Sequence, residues 1–175
     1  MRVKSIIFLA IIALLAILAI YGGSGNNLEI GAVAPDFELK DSEGNLVRLS
    51  DFRGKFVFLN FWATWCAPCV DEMPAMMTLN ESLKGRRFQM IAVSVDTSWK
   101  VIEDFYAEHH LNLLTLLDPA QVVSRDRYKA TGFPETFLID QNGHIRRHVI
   151  GPEQWAHPQV INQIEEMMGT PIKKP

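Results

Sequence analysis

Hydrophobic positions divide the chain near residue 28. Residues 6–21 form an apolar run without interruption, and with Ser5, Gly22 and Gly23 the uncharged stretch reaches 19 residues. As a helix this stretch is roughly 28 Å long at ~1.5 Å per residue, just enough to span a bilayer. Beyond it the pattern becomes that of a globular domain. Phe37 and Leu39 alternate with Asp36, Glu38 and Lys40; residues 41–45 carry turn formers; Leu46, Val47 and Leu49 then resume the apolar positions, which predicts a hairpin. Residues 56–62 are nearly all apolar, as in a central strand covered on both faces. Val70, Met73, Met76, Met77, Leu79 and Leu83 fall at helical spacing, with Gly85 as a stop. The pattern then predicts a strand at 88–95, an amphipathic helix at 98–110, a short strand at 113–117 and a helix at 119–128 with Pro119 in its first turn. Strands at 136–139 and 145–150 flank Gln141, Asn142 and Gly143 as an antiparallel hairpin, and a helix at 158–168 ends at Gly169. The sum is an α/β domain over 28–175, a mixed central sheet with helices on both faces, preceded by an anchor or signal and a tether in 1–27.

Charge sets the orientation of the N-terminal run. Arg2 and Lys4 precede it and Glu29 is the first charge after it, so the positive-inside bias sends the domain out of the cytoplasm. The run exceeds an ordinary signal-peptide core and no A-x-A site follows, which favours a retained anchor over a cleaved signal; both give the same topology. No cysteine precedes Cys66, so a lipid-modified cysteine anchor is excluded. The 175 residues, 48% hydrophobic and 21% charged, suit one core, and the net charge of −3 makes nucleic acid a poor partner.

Candidate chemistry lies where the central strand gives way to a helix, at Trp65, Cys66, Ala67, Pro68 and Cys69. Two cysteines three residues apart close too small a loop to stabilise a fold much, so a redox or metal role is weighed first. Cys66 falls at a helix N-terminus, where unpaired N–H groups and the helix dipole favour a thiolate. Cys69 is one turn deeper on nearly the same face, shielded but within reach of the first sulfur. Attack by Cys66 and resolution by Cys69 follow. Pro68 stiffens the first turn at little cost, and Pro74 is placed to kink the helix.

These residues resemble the membrane-tethered thioredoxin-like proteins of the TlpA, ResA and CcmG type. The likeness spans 30–168 and rests on Ala34, Pro35, Asp36, Phe37, Glu38 and Leu39, on 49–55, on the string from Asn60 to Glu72, and on Gly132 to Asp140. It implies a thioredoxin-like fold in which 97–117 is an inserted helix and strand. It also implies that Pro134 is a cis-proline facing the dithiol, with the backbone of Phe133 free to pair with an extended substrate segment. Thioredoxin has a buried aspartate where this chain has Asn60, read here as a structural amide. The resemblance points instead to Glu72 as the group that takes the proton of Cys69 through water. Trp62 and Trp65 flank the site, with Trp65 in the contact surface.

Ala67 and Pro68 do nothing to stabilise the thiolate form, and Glu72 opposes further negative charge, so a reductant is expected. The resemblance implies reduction of protein disulfides, apocytochrome c among them, with electrons from a membrane thiol transporter of the CcdA or DsbD kind. No cofactor is required beyond the Cys66–Cys69 pair. The alternative is a Sco-like copper chaperone using the same cysteines, since soft thiolates suit Cu(I). A peroxiredoxin shares the entry segment but needs threonine or serine where Ala63 stands and proline where Leu59 stands. His144 and His148 share a strand face roughly 13 Å apart at ~3.3 Å per residue, too far for one ion. His109 and His110 read as solvated, and Met73, Met76 and Met77 as core.

Overall fold

The structure, a computed structural model, describes residues 28–169; the apolar run at 6–21 and the tether lie outside them. Seven strands form one mixed sheet in the order β2-β1-β5-β4-β3-β6-β7. They are β1 (Glu38–Lys40), β2 (Leu46–Arg48), β3 (Phe56–Trp62), β4 (Phe88–Ser94), β5 (Thr115–Leu117), β6 (Glu135–Ile139) and β7 (Ile145–Ile150). Three α-helices, α1 (Ala67–Ser82), α2 (Trp99–His109) and α3 (Pro158–Gly169), and two short helical turns, Leu49–Phe52 and Val122–Arg127, complete the described part. None of them is long and apolar enough to cross a membrane.

Every residue of β3 is buried, as its unbroken apolar run requires. It pairs in parallel with β4 and antiparallel with β6. Because strand side chains alternate, Phe56, Phe58 and Trp62 enter one core with Met73, Met76 and Leu79 of α1, while Val57, Leu59 and Phe61 enter the other with Tyr128 and Phe137. Each such side chain contributes about 1.5–3 kcal/mol of burial, so α1 is held chiefly by packing. Asn60, on the first face, is the polar interruption.

The two predicted hairpins form. At the second, Asp140 takes the N–H groups of Asn142 and His144 on Oδ1, and Gly143 turns at φ +87°, where an added Cβ would run into the Arg53 guanidinium. The helix expected at 119–128 does not form as such. Residues Val122–Arg127 make a π turn entered through a left-handed Gln121. The cause is Asp118: its carboxylate accepts the N–H groups of Val123 and Ser124 and the Ser124 hydroxyl, widening the first turn. The helix through Pro74 continues to Ser82.

Candidate active site

β3 ends at Trp62 and the chain reaches α1 through Ala63, Thr64, Trp65 and Cys66. Asp96, buried just beyond β4, fixes this loop by accepting the Thr64 N–H at 3.0 Å and the Thr64 hydroxyl at 2.8 Å, with the Ser94 hydroxyl at 2.7 Å. Cys66 is the N-cap of α1 in extended conformation, and Pro68 occupies the first turn, where helix N–H groups have no internal partner. Cys66 and Cys69 are joined as a disulfide, their Cα atoms 5.2 Å apart. Cys66 is 6% exposed and Cys69 0%, so only the first cysteine has any surface open to solvent.

A second loop meets the first at the same end of the sheet. Phe61 near the end of β3 lies opposite Glu135 at the start of β6, so the segment preceding β6 sits beside the loop that leads into Cys66. Phe133 contacts Trp65 edge to face at 6.2 Å, and its bond to Pro134 is cis. Trp65 is 66% exposed, a large aromatic surface held against Phe133. Behind Phe133 the Arg125 guanidinium lies 5.0 Å from the ring centroid, and its Nη1 donates to the Ala130 carbonyl at 2.7 Å.

Glu72 stands one turn beyond Cys69 on α1 and is 5% exposed. Its Oε1 accepts from Asn60 Nδ2 at 3.1 Å; its Oε2 accepts from Trp155 Nε1 at 3.0 Å and from the Glu153 N–H at 3.2 Å. Burial pushes this carboxyl up to about 7, opposed by the Glu153, Trp155 and Asn60 hydrogen bonds, which favour the charged form. A cleft of ≈ 950 Å³, lined by Asp71, Glu72, Ala75, Pro152, Glu153 and His157 among others, opens beside it. Glu72 is therefore a buried residue in the wall of a cleft. Replacing Trp155 by Phe removes a donor to Oε2. We expect the midpoint of any Glu72-dependent pH profile to move alkaline and the fold to lose about 1–3 kcal/mol, read by thiol reactivity against pH and by denaturant unfolding.

Residues 30–148 match the AhpC/TSA family model. The chain belongs to that family, and within it to the thioredoxin-like TlpA/ResA/CcmG type. It is 41% identical over 122 residues to the thiol-disulfide oxidoreductase ResA of Geobacillus kaustophilus, covering 70% of each chain. With ResA of Bacillus subtilis it shares 36% over 133 residues, 76% of this chain and 73% of that protein. Among solved structures it is similar to a putative thiol:disulfide interchange protein DsbE from Chlorobium tepidum, with TM-score 0.70, 32% identity, and coverage of 81% of this chain and 96% of that one. This ResA-type protein is a thioredoxin-like oxidoreductase that works by thiol-disulfide exchange, and Cys66–Cys69 is its C-x-x-C pair.

Most residues singled out in this ResA-type sequence converge at one end of the sheet: Trp65, Cys66, Pro68 and Cys69 at the start of α1, Glu72 beneath them, Phe133 and Pro134 across from them. Asn60 is buried, and its Nδ2 donates to Glu72 Oε1 as well as to Thr136 Oγ1 at 2.9 Å. Trp62 lies in the same buried cluster as Cys66 and Cys69. It is fully buried and stacks on Tyr106 of the inserted helix α2 at 5.8 Å. His109 packs against Phe105 at 4.3 Å. Among the described residues no group of three His, Cys, Asp or Glu side chains is placed to hold a metal ion. Sequence reasoning missed Trp155, Glu153 and Asp96. Trp155 carried one signal, a lone aromatic in the polar stretch 152–159.

Proposed function

We propose that this protein is an extracytoplasmic reductant, held to the cytoplasmic membrane by residues 6–21, in which Cys66 attacks, Cys69 resolves and Glu72 moves the proton. The reading rests above all on the buried Glu72, held by three hydrogen bonds one turn from the buried sulfur and set in the wall of a cleft.

The Cys66 thiolate attacks a substrate disulfide, forming a mixed disulfide and releasing one substrate thiolate. Cys69 then gives its proton to Glu72 through water, and its thiolate attacks the Cys66 sulfur. The Cys66–Cys69 bond forms, the mixed disulfide breaks, and a second substrate thiolate leaves. Two electrons pass from the protein dithiol to the substrate, and no cofactor takes part. An extended substrate segment docks beside Phe133 and Pro134, with Trp65 covering its apolar side chains. Apocytochrome c, with its paired cysteines, fits this role. A reducing dithiol in an oxidising compartment needs a continuing supply of electrons, which a membrane thiol transporter of the CcdA or DsbD kind provides.

The deciding measurement is the equilibrium potential of the Cys66–Cys69 pair against a glutathione buffer. A reductant should fall below about −200 mV, and a value near the about −120 mV of a strong oxidant would reverse the assigned direction.

A further inference from the structure

Glu135 opens β6 immediately after Pro134 and is 0% exposed. A carboxylate inside a sheet is costly unless its oxygens are paired. Both are: Oε2 accepts the Thr131 N–H at 2.9 Å, and Oε1 lies 2.6 Å from Nε2 of His148 on β7. His148 reaches it because Phe137 and His148 are register partners and their rings stack at 4.1 Å, which aims the imidazole along the sheet toward Glu135. The segment 130–133 is thus clamped twice, by Arg125 on the Ala130 carbonyl and by Glu135 on the Thr131 N–H.

We propose that His148 is a positioning residue for substrate: through Glu135 it fixes the segment leading to Phe133, the edge on which a substrate disulfide segment docks. The inference rests on the strand-docking reading of Phe133 given above. His148 contacts Glu135 and Phe137, and neither is a reacting group. Without the imidazole N–H, Oε1 is left buried and bare, Glu135 turns to find another donor, and the Thr131 N–H loses its anchor. Arg125 still holds Ala130, so the disturbance falls on the residues between Ala130 and Pro134.

The test uses the reduced full-length chain in detergent and three probes: an extended peptide containing one disulfide, the same peptide N-methylated beside that disulfide, and the small aromatic disulfide dithiobis(nitrobenzoate). His148→Phe keeps the ring on Phe137 and removes the donor; His148→Gln keeps an N–H donor. His148→Phe should raise KM for the peptide about tenfold with kcat held, the equivalent of one lost hydrogen bond, and leave the rate with the small disulfide unchanged. His148→Gln should restore KM to within about threefold of the parent. An unchanged KM in His148→Phe, or equal losses with the peptide and the small disulfide, overturns the role of His148. The docking reading fails separately, if the unsubstituted protein treats the N-methylated and parent peptides alike.

Discussion

Replacing Cys69 with serine is expected to convert the protein from a turnover catalyst into a trap. In the disulfide form Cys66 keeps some solvent-accessible surface and Cys69 has none, so the second sulfur is closed to an incoming disulfide. Cys66 also caps α1, where unpaired N–H groups favour its anionic form, whereas Cys69 lies one turn inside the helix without that help. With serine at 69, attack by Cys66 proceeds, but no thiol remains to break the mixed disulfide. Turnover should fall to the uncatalysed rate, and a covalent adduct with a disulfide peptide should accumulate, visible on non-reducing gels and by intact mass. The reciprocal Cys66→Ser variant should yield neither turnover nor adduct. If it is the Cys66→Ser protein that captures substrate through Cys69, the two cysteines have been assigned in the wrong order.

That order could be read from the chain because it depends on local features: an apolar run of strand length, a turn, then helical spacing with Pro68 in the first turn. The same holds for the sheet. The fully buried β3 and the two hairpins follow from patterns of period two and from turn residues within a few positions of one another. The environment of Glu72 was only half legible. Its place one turn from Cys69 follows from helix geometry, but the Trp155 indole and the Glu153 N–H come from residues more than 80 positions away, and no local periodicity encodes such a contact. Asn60 was legible as buried but not as a donor to Glu72, since strand alternation gives the face of a side chain and not its partner. The expected helix at 119–128 failed for a related reason. Asp118 falls between the strand expected at 113–117 and that helix, and its carboxylate competes for the first N–H groups of the next turn and reshapes it.

Placing Gln at position 72 should separate two properties that a buried carboxyl ties together. In the disulfide form burial holds Glu72 at about 7 against an ordinary value of 4.5, so the fold favours the neutral acid. Its contribution to stability is therefore complete below pH 4.5, declines as pH rises from 4.5 to 7, and is gone above that range. The interval is worth about 3 kcal/mol at ~1.36 kcal/mol per pH unit. Glutamine is neutral throughout, and Asn60 can accept its N–H, because Asn60 Oδ1 is buried without a partner. Denaturant unfolding of the oxidised Glu72→Gln protein should show little of the parent's decline between pH 5 and 7.5 and should leave the variant the more stable by about 2–3 kcal/mol at pH 8. Resolution should move the opposite way. A carboxylate accepts the Cys69 proton only when ionised, so in the parent the rate of mixed-disulfide breakdown rises with pH through about 7. In Glu72→Gln that rise should vanish and the rate at pH 8 should drop about 10²-fold, the low end of what a positioned base contributes. A variant that gains stability at high pH while resolving at the parent's rate would show that Glu72 is a buried acid tolerated by the fold, and that the proton of Cys69 leaves by another path.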